Sequence, residues 1–230
     1  MTSRKIGYWV IPPKENGAFV AAMENILETY KTPYNKQFPV ICMDEQPVQL
    51  LDDVRPSIPE TTAHPKRVDY EYERKGTASI FMFTEPLSGW RQVHLRERRT
   101  KLDWSEEVKG LLDLYPDAQK VILVCDNLNT HNYGSFYERY SPAEALSICQ
   151  RLEIRYTPKH GSWLNIAECE LSVLTRQCLK NRRYPTQESL SAALTLWNID
   201  RNTRQKGVEW QFSTTDARIK LKSLYPHIKY

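Results

Sequence analysis

The chain has 230 residues, of which 40% are hydrophobic and 26% are charged. This composition is typical of a folded globular domain and excludes a largely disordered chain. No apolar run approaches the ~20 residues that a membrane-spanning helix needs, and the polar residues 1–5 are not followed by the apolar segment of a signal peptide. We therefore expect a cytoplasmic protein with no membrane partner.

The cysteines and histidines argue against a zinc site. The five cysteines are scattered along the chain, none forms a Cys-x-x-Cys pair, and the five histidines show no ligand spacing. We expect reduced thiols that pack as small hydrophobic groups.

Positive charge is concentrated in the C-terminal third. The whole chain has a net charge of +4, but residues 1–150 hold 18 Lys/Arg against 21 Asp/Glu, whereas residues 151–230 hold 14 against 7. Because Lys and Arg displace counterions from phosphates, this asymmetry indicates a polyanionic partner. A merely solvated basic surface is the alternative.

The beginning of the chain predicts a helix, a buried strand and a long loop. Residues 16–30 carry apolar side chains at helical spacing. Residues 38–43 form a short apolar run that ends in Asp44 and Glu45, which is typical of a buried strand with acids at its C-terminal end. Residues 46–75 are charged and contain four prolines, so we interpret them as a loop-rich insertion.

The middle of the chain predicts a hairpin, a helix and a central strand. The β-rich residues 76–84 and 90–98 flank a turn at 86–89. Residues 103–114 have helical periodicity. Residues 120–125 form a continuous apolar run, typical of a strand covered on both faces.

The remainder predicts alternating elements. A Ser-Pro pair opens a helix at residues 141–152, a short strand follows at 153–157, and further helices are expected at 163–179, 186–200 and 215–224. A hairpin beside a first strand, followed by strands that alternate with helices, implies an α/β domain with a mixed sheet and helices on both faces.

Three acids occupy positions that suggest a metal site. Asp44 follows the first predicted strand, Asp126 follows the central strand, and Glu168 lies in the second turn of the helix after the last strand. The crevice at strand C-termini is where open α/β sheets place their sites. Carboxylate oxygens suit Mg²⁺ or Mn²⁺, and two such ions can bridge a scissile phosphate. Taken singly, each acid is more typical of a turn, a cap or a solvated helix face.

Helical periodicity leaves the choice between Glu168 and Glu170 open, because the two acids flank the apolar stripe of their helix equally. Two features favour Glu168. It lies nearer the loop that precedes the helix, and Asn165, three residues before it, could orient its carboxylate.

Several segments together resemble mariner-like transposases of bacterial insertion sequences, specifically the insertion sequence 630 group. The resemblance extends from about Trp9 to Pro226, and the motifs that carry it stand at residues 40–45 (VICMDE), 69–77 (DYEYERKGT), 121–131 (VILVCDNLNTH), 156–168 (YTPKHGSWLNIAE) and 214–221 (TTDARIKL).

The resemblance implies a ribonuclease-H-like fold with a five-stranded mixed sheet. It implies Mg²⁺-dependent DNA cleavage and strand transfer, with Mn²⁺ as a substitute, and it assigns the catalytic and metal-binding triad to Asp44, Asp126 and Glu168. It also marks Asn127 and His131 as neighbours of the site. His131 is expected to orient Asp126 or a phosphate, or to be a purely structural histidine.

DNA contacts are expected from basic residues near the predicted site. Lys159 and His160, in the loop before the helix that carries Glu168, are placed to touch phosphates, and Arg182 and Arg183 follow the same helix. Plain exposure of the loop is the alternative.

The expected organisation is an N-terminal linker and helix (1–36), a catalytic core (37–183) and a C-terminal helical extension of the same domain (184–230). Relatives carry helix-turn-helix modules upstream, and the sequence before Phe38 is too short for two of them, so we expect weak, sequence-independent DNA binding. We also expect a homodimer or higher assembly on DNA, located in the bacterial cytoplasm at the nucleoid. The alternatives are an inactive DNA-binding remnant and a ribonuclease-H-like nuclease that cuts without joining.

Overall fold

The computed structural model describes residues 14–227, so residues 1–13 of the expected N-terminal segment lie outside it. A five-stranded sheet has the order β3-β2-β1-β4-β5, in which β2 is antiparallel to β1 and β3, whereas β4 and β5 run parallel to β1. The strands are β1 (Val40–Asp53), β2 (Tyr72–Glu85), β3 (Trp90–Arg96), β4 (Val121–Cys125) and β5 (Leu152–Tyr156).

Helices cover both faces of this sheet, which confirms the predicted α/β architecture. They are α1 (Gly17–Lys31), α2 (Lys101–Asp113), α3 (Gly134–Arg139), α4 (Pro142–Arg151), α5 (Ile166–Leu174), α6 (Gln187–Arg204) and α7 (Thr214–Lys220). No helix within residues 14–227 is long and apolar enough to cross a membrane.

Alternation along β1 distributes its side chains between two cores. Cys42 contributes to the core that α1 and α5 cover, whereas Ile41 and Met43 contribute to the core that α2 and α4 cover. Asp44 and Glu45 continue this alternation and therefore lie on opposite faces of the sheet.

The loop predicted for residues 46–75 is wrong at both ends. Strand β1 continues through Asp44 to Asp53 and pairs with β2, which begins at Tyr72, so Asp44 lies within a strand rather than at its end. The loop was predicted because the segment contains four prolines. The pairing of β1 with β4 ends at Cys42, so Pro47 lies where one edge of β1 is free of β4, and edge positions tolerate proline.

The single helix predicted at 163–179 is also wrong, because Asn165 interrupts it. A 3₁₀ turn spans Ser162–Leu164, α5 begins only at Ile166, and a π-helical turn follows at Thr175–Leu179. The Asn165 backbone is extended, and its side chain accepts a hydrogen bond from the Ala167 N–H as the N-cap of α5. Glu168 therefore lies in the first turn of the helix rather than the second.

Other boundaries agree with the predictions to within a few residues, with two exceptions. The short helix α3 was not predicted, and the last helix ends at Lys220, after which a 3₁₀ turn spans Lys222–Leu224.

Candidate active site

Asp44 and Asp126 lie beside each other where the parallel part of the sheet ends. The last registered pair between β1 and β4 is Cys42 with Val124, and each acid lies two residues beyond it. The predicted proximity therefore follows from strand register, although β1 itself continues past the site.

Asp44 experiences the negative charge of its neighbours. Burial raises the pKa of its carboxyl group to about 6, with further contributions from the charges of Asp126, Glu168 and Glu45. A hydrogen bond of 2.8 Å from the Glu45 N–H to Asp44 Oδ1 opposes this rise. Asp44, Asp126 and Glu168 thus share one electrostatic environment.

His131 bridges Asp126 to a fourth acid, Glu45. Its Nδ1 lies 2.6 Å from Asp126 Oδ1 as an ion-pair contact, and it is hydrogen-bonded to the Asp126 carbonyl oxygen at 3.3 Å. Its Nε2 lies 3.1 Å from Glu45 Oε1. Burial lowers the pKa of His131, but its contacts with Asp126, Cys125 and Glu45 outweigh burial and raise it to about 12. The ring is only 1% exposed, so its contacts are with Asp126 and Glu45 inside the protein.

Asn165 fixes the helix that carries Glu168 to the strand that carries Asp44. Its Nδ2 donates a hydrogen bond of 2.8 Å to the carbonyl oxygen of Met43, the residue before Asp44. Both polar atoms of the amide are therefore engaged with backbone groups, so the expectation that it orients the Glu168 carboxylate is wrong. It positions α5 instead.

Glu170, the competing acid, is committed to two arginines. Its carboxylate accepts hydrogen bonds of 2.6 and 2.9 Å from Arg91 and lies 3.2 Å from Arg201. Burial raises the pKa of Glu170, but these partners outweigh burial and lower it below the ordinary value. Glu168 is exposed on the other flank of α5, and its negative charge contributes to the raised pKa of Asp44.

The residues expected to bind DNA differ in their exposure to solvent and in their contacts within the protein. Lys159 and His160 are exposed in a tight turn after β5, where a Cβ on Gly161 would lie 2.5 Å from Pro158 Cγ. Asn127 is likewise exposed, directly after Asp126.

Of the two arginines after α5, Arg182 is exposed and lines an open groove of about 830 Å³. The Arg183 guanidinium is instead bound to Asp53 Oδ1 at 2.6 Å and to the carbonyl oxygens of Asp69 and Glu71. Arg183 therefore holds the segment between β1 and β2, and its guanidinium is engaged within the protein.

A family profile described as DDE superfamily endonuclease matches residues 39–191, which is more than half of the chain. The chain belongs to this endonuclease family. No curated protein matches the sequence significantly.

Solved transposase structures share the fold of this chain. The Mos1 strand transfer complex aligns over 98% of the chain with a TM-score of 0.62 and 14% identity. The Mos1 transposase paired-end complex with left transposon end aligns over 97% with a TM-score of 0.60 and 15% identity. The Mos1 mariner paired end complex with Mn aligns over 86% with a TM-score of 0.53 and 16% identity. The chain spans 60–68% of the length of those chains, and the likeness confirms the ribonuclease-H-like fold.

The carboxylate oxygens of Asp44, Asp126 and Glu168 are suitable ligands for a hard divalent cation, although the three side chains do not converge on a common point. Within residues 14–227, no three His, Cys, Asp or Glu side chains are close enough together to hold a metal ion. Asp126 Oδ1 has His131 Nδ1 at 2.6 Å but no hydrogen bond of good geometry, and the charges around Asp44 repel one another. A cation with oxygen ligands would relieve both conditions.

Sequence reasoning missed two features, one within this site and one beside it. Glu45 was noted beside Asp44 but given no role; the signal was its place on an inward-facing position of a buried strand. The Arg91–Glu170–Arg201 cluster left no local signal, since its members come from β3, α5 and α6.

Proposed function

We propose that this endonuclease chain is the catalytic domain of a DNA transposase that cuts DNA and joins the resulting 3′-hydroxyl to target DNA. The observation that carries the proposal is the strand register that places Asp44 and Asp126 side by side, within the segment that the family profile matches. The charge of Glu168 also reaches Asp44, whereas Glu170 is held by Arg91. Motif resemblance supports a mariner-like transposase of the insertion sequence 630 group. The structural neighbours named for paired ends and strand transfer are consistent with this class.

Asp44, Asp126 and Glu168 are the residues that would hold Mg²⁺, or Mn²⁺ in its place, in a site for two ions. When bound, these ions activate the attacking oxygen and stabilise the leaving oxygen of a phosphodiester. His131 holds the Asp126 side chain, and Asn165 keeps the start of α5 against β1. Within such a site water would attack the phosphorus and displace the DNA 3′ oxygen, which leaves a 3′-hydroxyl and a 5′-phosphate. That 3′-hydroxyl would then attack a phosphorus of target DNA and displace a 3′ oxygen of the target strand.

DNA is the proposed partner, bound through its phosphates. Lys159, His160 and Arg182 are exposed on segments that flank α5, in the basic C-terminal third of the chain. We propose that the chain acts as a homodimer or a higher assembly on DNA, in the bacterial cytoplasm at the nucleoid.

Cleavage and joining are tested with supercoiled DNA and with pre-cut transposon ends, in Mg²⁺, in Mn²⁺ and in EDTA. Asp44→Asn and Asp126→Asn should abolish metal-dependent cleavage and joining. Asp113→Asn, which alters an exposed acid at the end of α2, should leave both unchanged. Full activity of a folded Asp44→Asn variant would contradict the triad.

The same assay separates the alternatives. Cleavage without joining of pre-cut ends would identify a ribonuclease-H-like nuclease. DNA binding without any metal-induced rise in melting temperature would identify an inactive remnant, since a ligand that binds only the folded state raises stability.

A further inference from the structure

Glu45 is a buried carboxylate that the catalytic proposal leaves without a role. Its side chain is 3% exposed, and it lies on the opposite face of β1 from Asp44. One carboxylate oxygen contacts His131, while the other has no hydrogen-bond partner and lies 3.9 Å from an Arg99 nitrogen. Burying a charge with so few partners costs free energy.

The histidine that Glu45 touches is held rigidly from several directions. The His131 ring stacks against Trp104, with ring centroids 5.4 Å apart and planes 24° apart. The backbone carbonyl oxygen of His131 accepts a hydrogen bond of 2.6 Å from the Tyr156 hydroxyl. The backbone N–H of His131 donates a hydrogen bond of 3.0 Å to the Leu128 carbonyl oxygen. With ring and backbone both fixed, the direction of each ring nitrogen is set, and one of them faces the Asp126 carboxylate at 2.6 Å.

Residue 45 therefore reaches both strand-borne acids by separate routes. Its backbone N–H donates to Asp44 Oδ1 at 2.8 Å, and its side chain reaches Asp126 through His131. A substitution of the side chain removes the second route and leaves the first in place. This separation makes the role of the carboxylate measurable.

We propose that Glu45 is a positioning residue that acts through His131 to hold the Asp126 carboxylate in the orientation that binds the divalent cation. The inference rests on the proposed function, because it presumes that Asp126 is a metal ligand. Groups that orient metal ligands typically contribute about 10- to 100-fold to metal affinity or activity when they are removed.

The test measures Mn²⁺ binding directly, by the loss of the free-ion electron paramagnetic resonance signal during titration of the protein without DNA. Glu45→Gln keeps the size of the side chain but removes its charge, and it should weaken Mn²⁺ binding by about 10-fold. Glu45→Ala also removes the contact with His131 and should weaken binding further. Circular dichroism establishes that each variant is folded.

A matched control lies in the same layer of the fold. Glu107 on α2 is a buried carboxylate, 4% exposed, that pairs with His94 and Arg96 away from the three acids. Glu107→Gln should lower the melting temperature without changing Mn²⁺ affinity. A merely structural Glu45 would behave in the same way as Glu107.

The outcomes distinguish failure of this inference from failure of the proposed function. If wild-type protein binds no Mn²⁺, or if Asp126→Asn binds it as well as wild type does, the proposed metal site is wrong. If Asp126→Asn loses Mn²⁺ binding while folded Glu45→Gln stays within about two-fold of wild type, only the positioning role is overturned. Should Glu45→Ala fail to fold, the Glu45→Gln result decides.

Discussion

Exchanging each acid of α5 for its amide should separate catalysis from stability. Glu168→Gln changes an exposed residue in the first turn of the helix, next to the charges of the proposed site. Glu170→Gln changes a side chain that is 6% exposed and lies between two arginines. The substitutions are chemically identical and two positions apart, so each serves as the control for the other.

The structure sets the expected magnitudes. Arg91 is 2% exposed, and loss of its carboxylate partner leaves a buried guanidinium without a counter-charge. Breaking a buried pair in this way costs about 3–5 kcal/mol, and the remaining amide oxygen of glutamine favours the lower end. For a domain of this size, a loss of about 3 kcal/mol lowers the melting temperature by roughly 6–12 °C. Glu168→Gln should change the free energy of unfolding by less than about 1 kcal/mol, because only an exposed helix-terminus charge is lost.

Thermal unfolding and Mn²⁺-dependent cleavage should therefore rank the two variants in opposite orders. Assayed well below both melting temperatures, Glu168→Gln should be stable and inactive, with weakened Mn²⁺ binding. Glu170→Gln should be less stable, with substantial activity per folded molecule. The reasoning is refuted if Glu170→Gln melts like wild type but loses Mn²⁺ binding, or if folded Glu168→Gln cleaves normally.

Three further variants test separate parts of the site. Asp44→Asn should raise the stability of the metal-free protein by about 1 kcal/mol, because it removes a charge that burial and the neighbouring acids both disfavour; a melting temperature lower than that of wild type would contradict this. Asn165→Ala should cost roughly 2–4 kcal/mol by removing a helix cap and a buried hydrogen bond, whereas Asn165→Ser keeps a capping oxygen and should cost less; equal losses in denaturant titrations would show that the cap is unimportant. Lys159→Ala should reduce the slope of log affinity against log salt by about 1 for any DNA sequence, and an unchanged slope would remove that residue from the DNA surface.

Elements with a strong local signal were predictable from the sequence. The continuous apolar run of β4 identifies a central strand, and the helical spacing of apolar residues identifies α1, α2 and α6. The pairing of β1 with β4 ends at Cys42 and Val124, so the proximity of Asp44 and Asp126 was predictable from strand order, although β1 itself continues to Asp53.

The remainder depends on contacts between distant parts of the chain. Glu45 and His131 are 86 residues apart, and Arg91 and Glu170 are 79 apart, so neither pair leaves a periodic pattern. The extension of β1 to Asp53 depends on its pairing with β2, which overrides the proline-rich appearance of that segment. The interruption at Asn165 depends on a hydrogen bond to Met43 across the domain.

A crystal structure of the protein soaked in Mn²⁺, with anomalous difference density recorded to locate the metal, tests the central claim most directly. The account predicts an anomalous peak coordinated by both Asp44 and Asp126, with the Glu168 carboxylate turned towards it and Glu170 still bound to Arg91. The absence of a peak between Asp44 and Asp126 at saturating Mn²⁺, or a peak coordinated by Glu170, would contradict it.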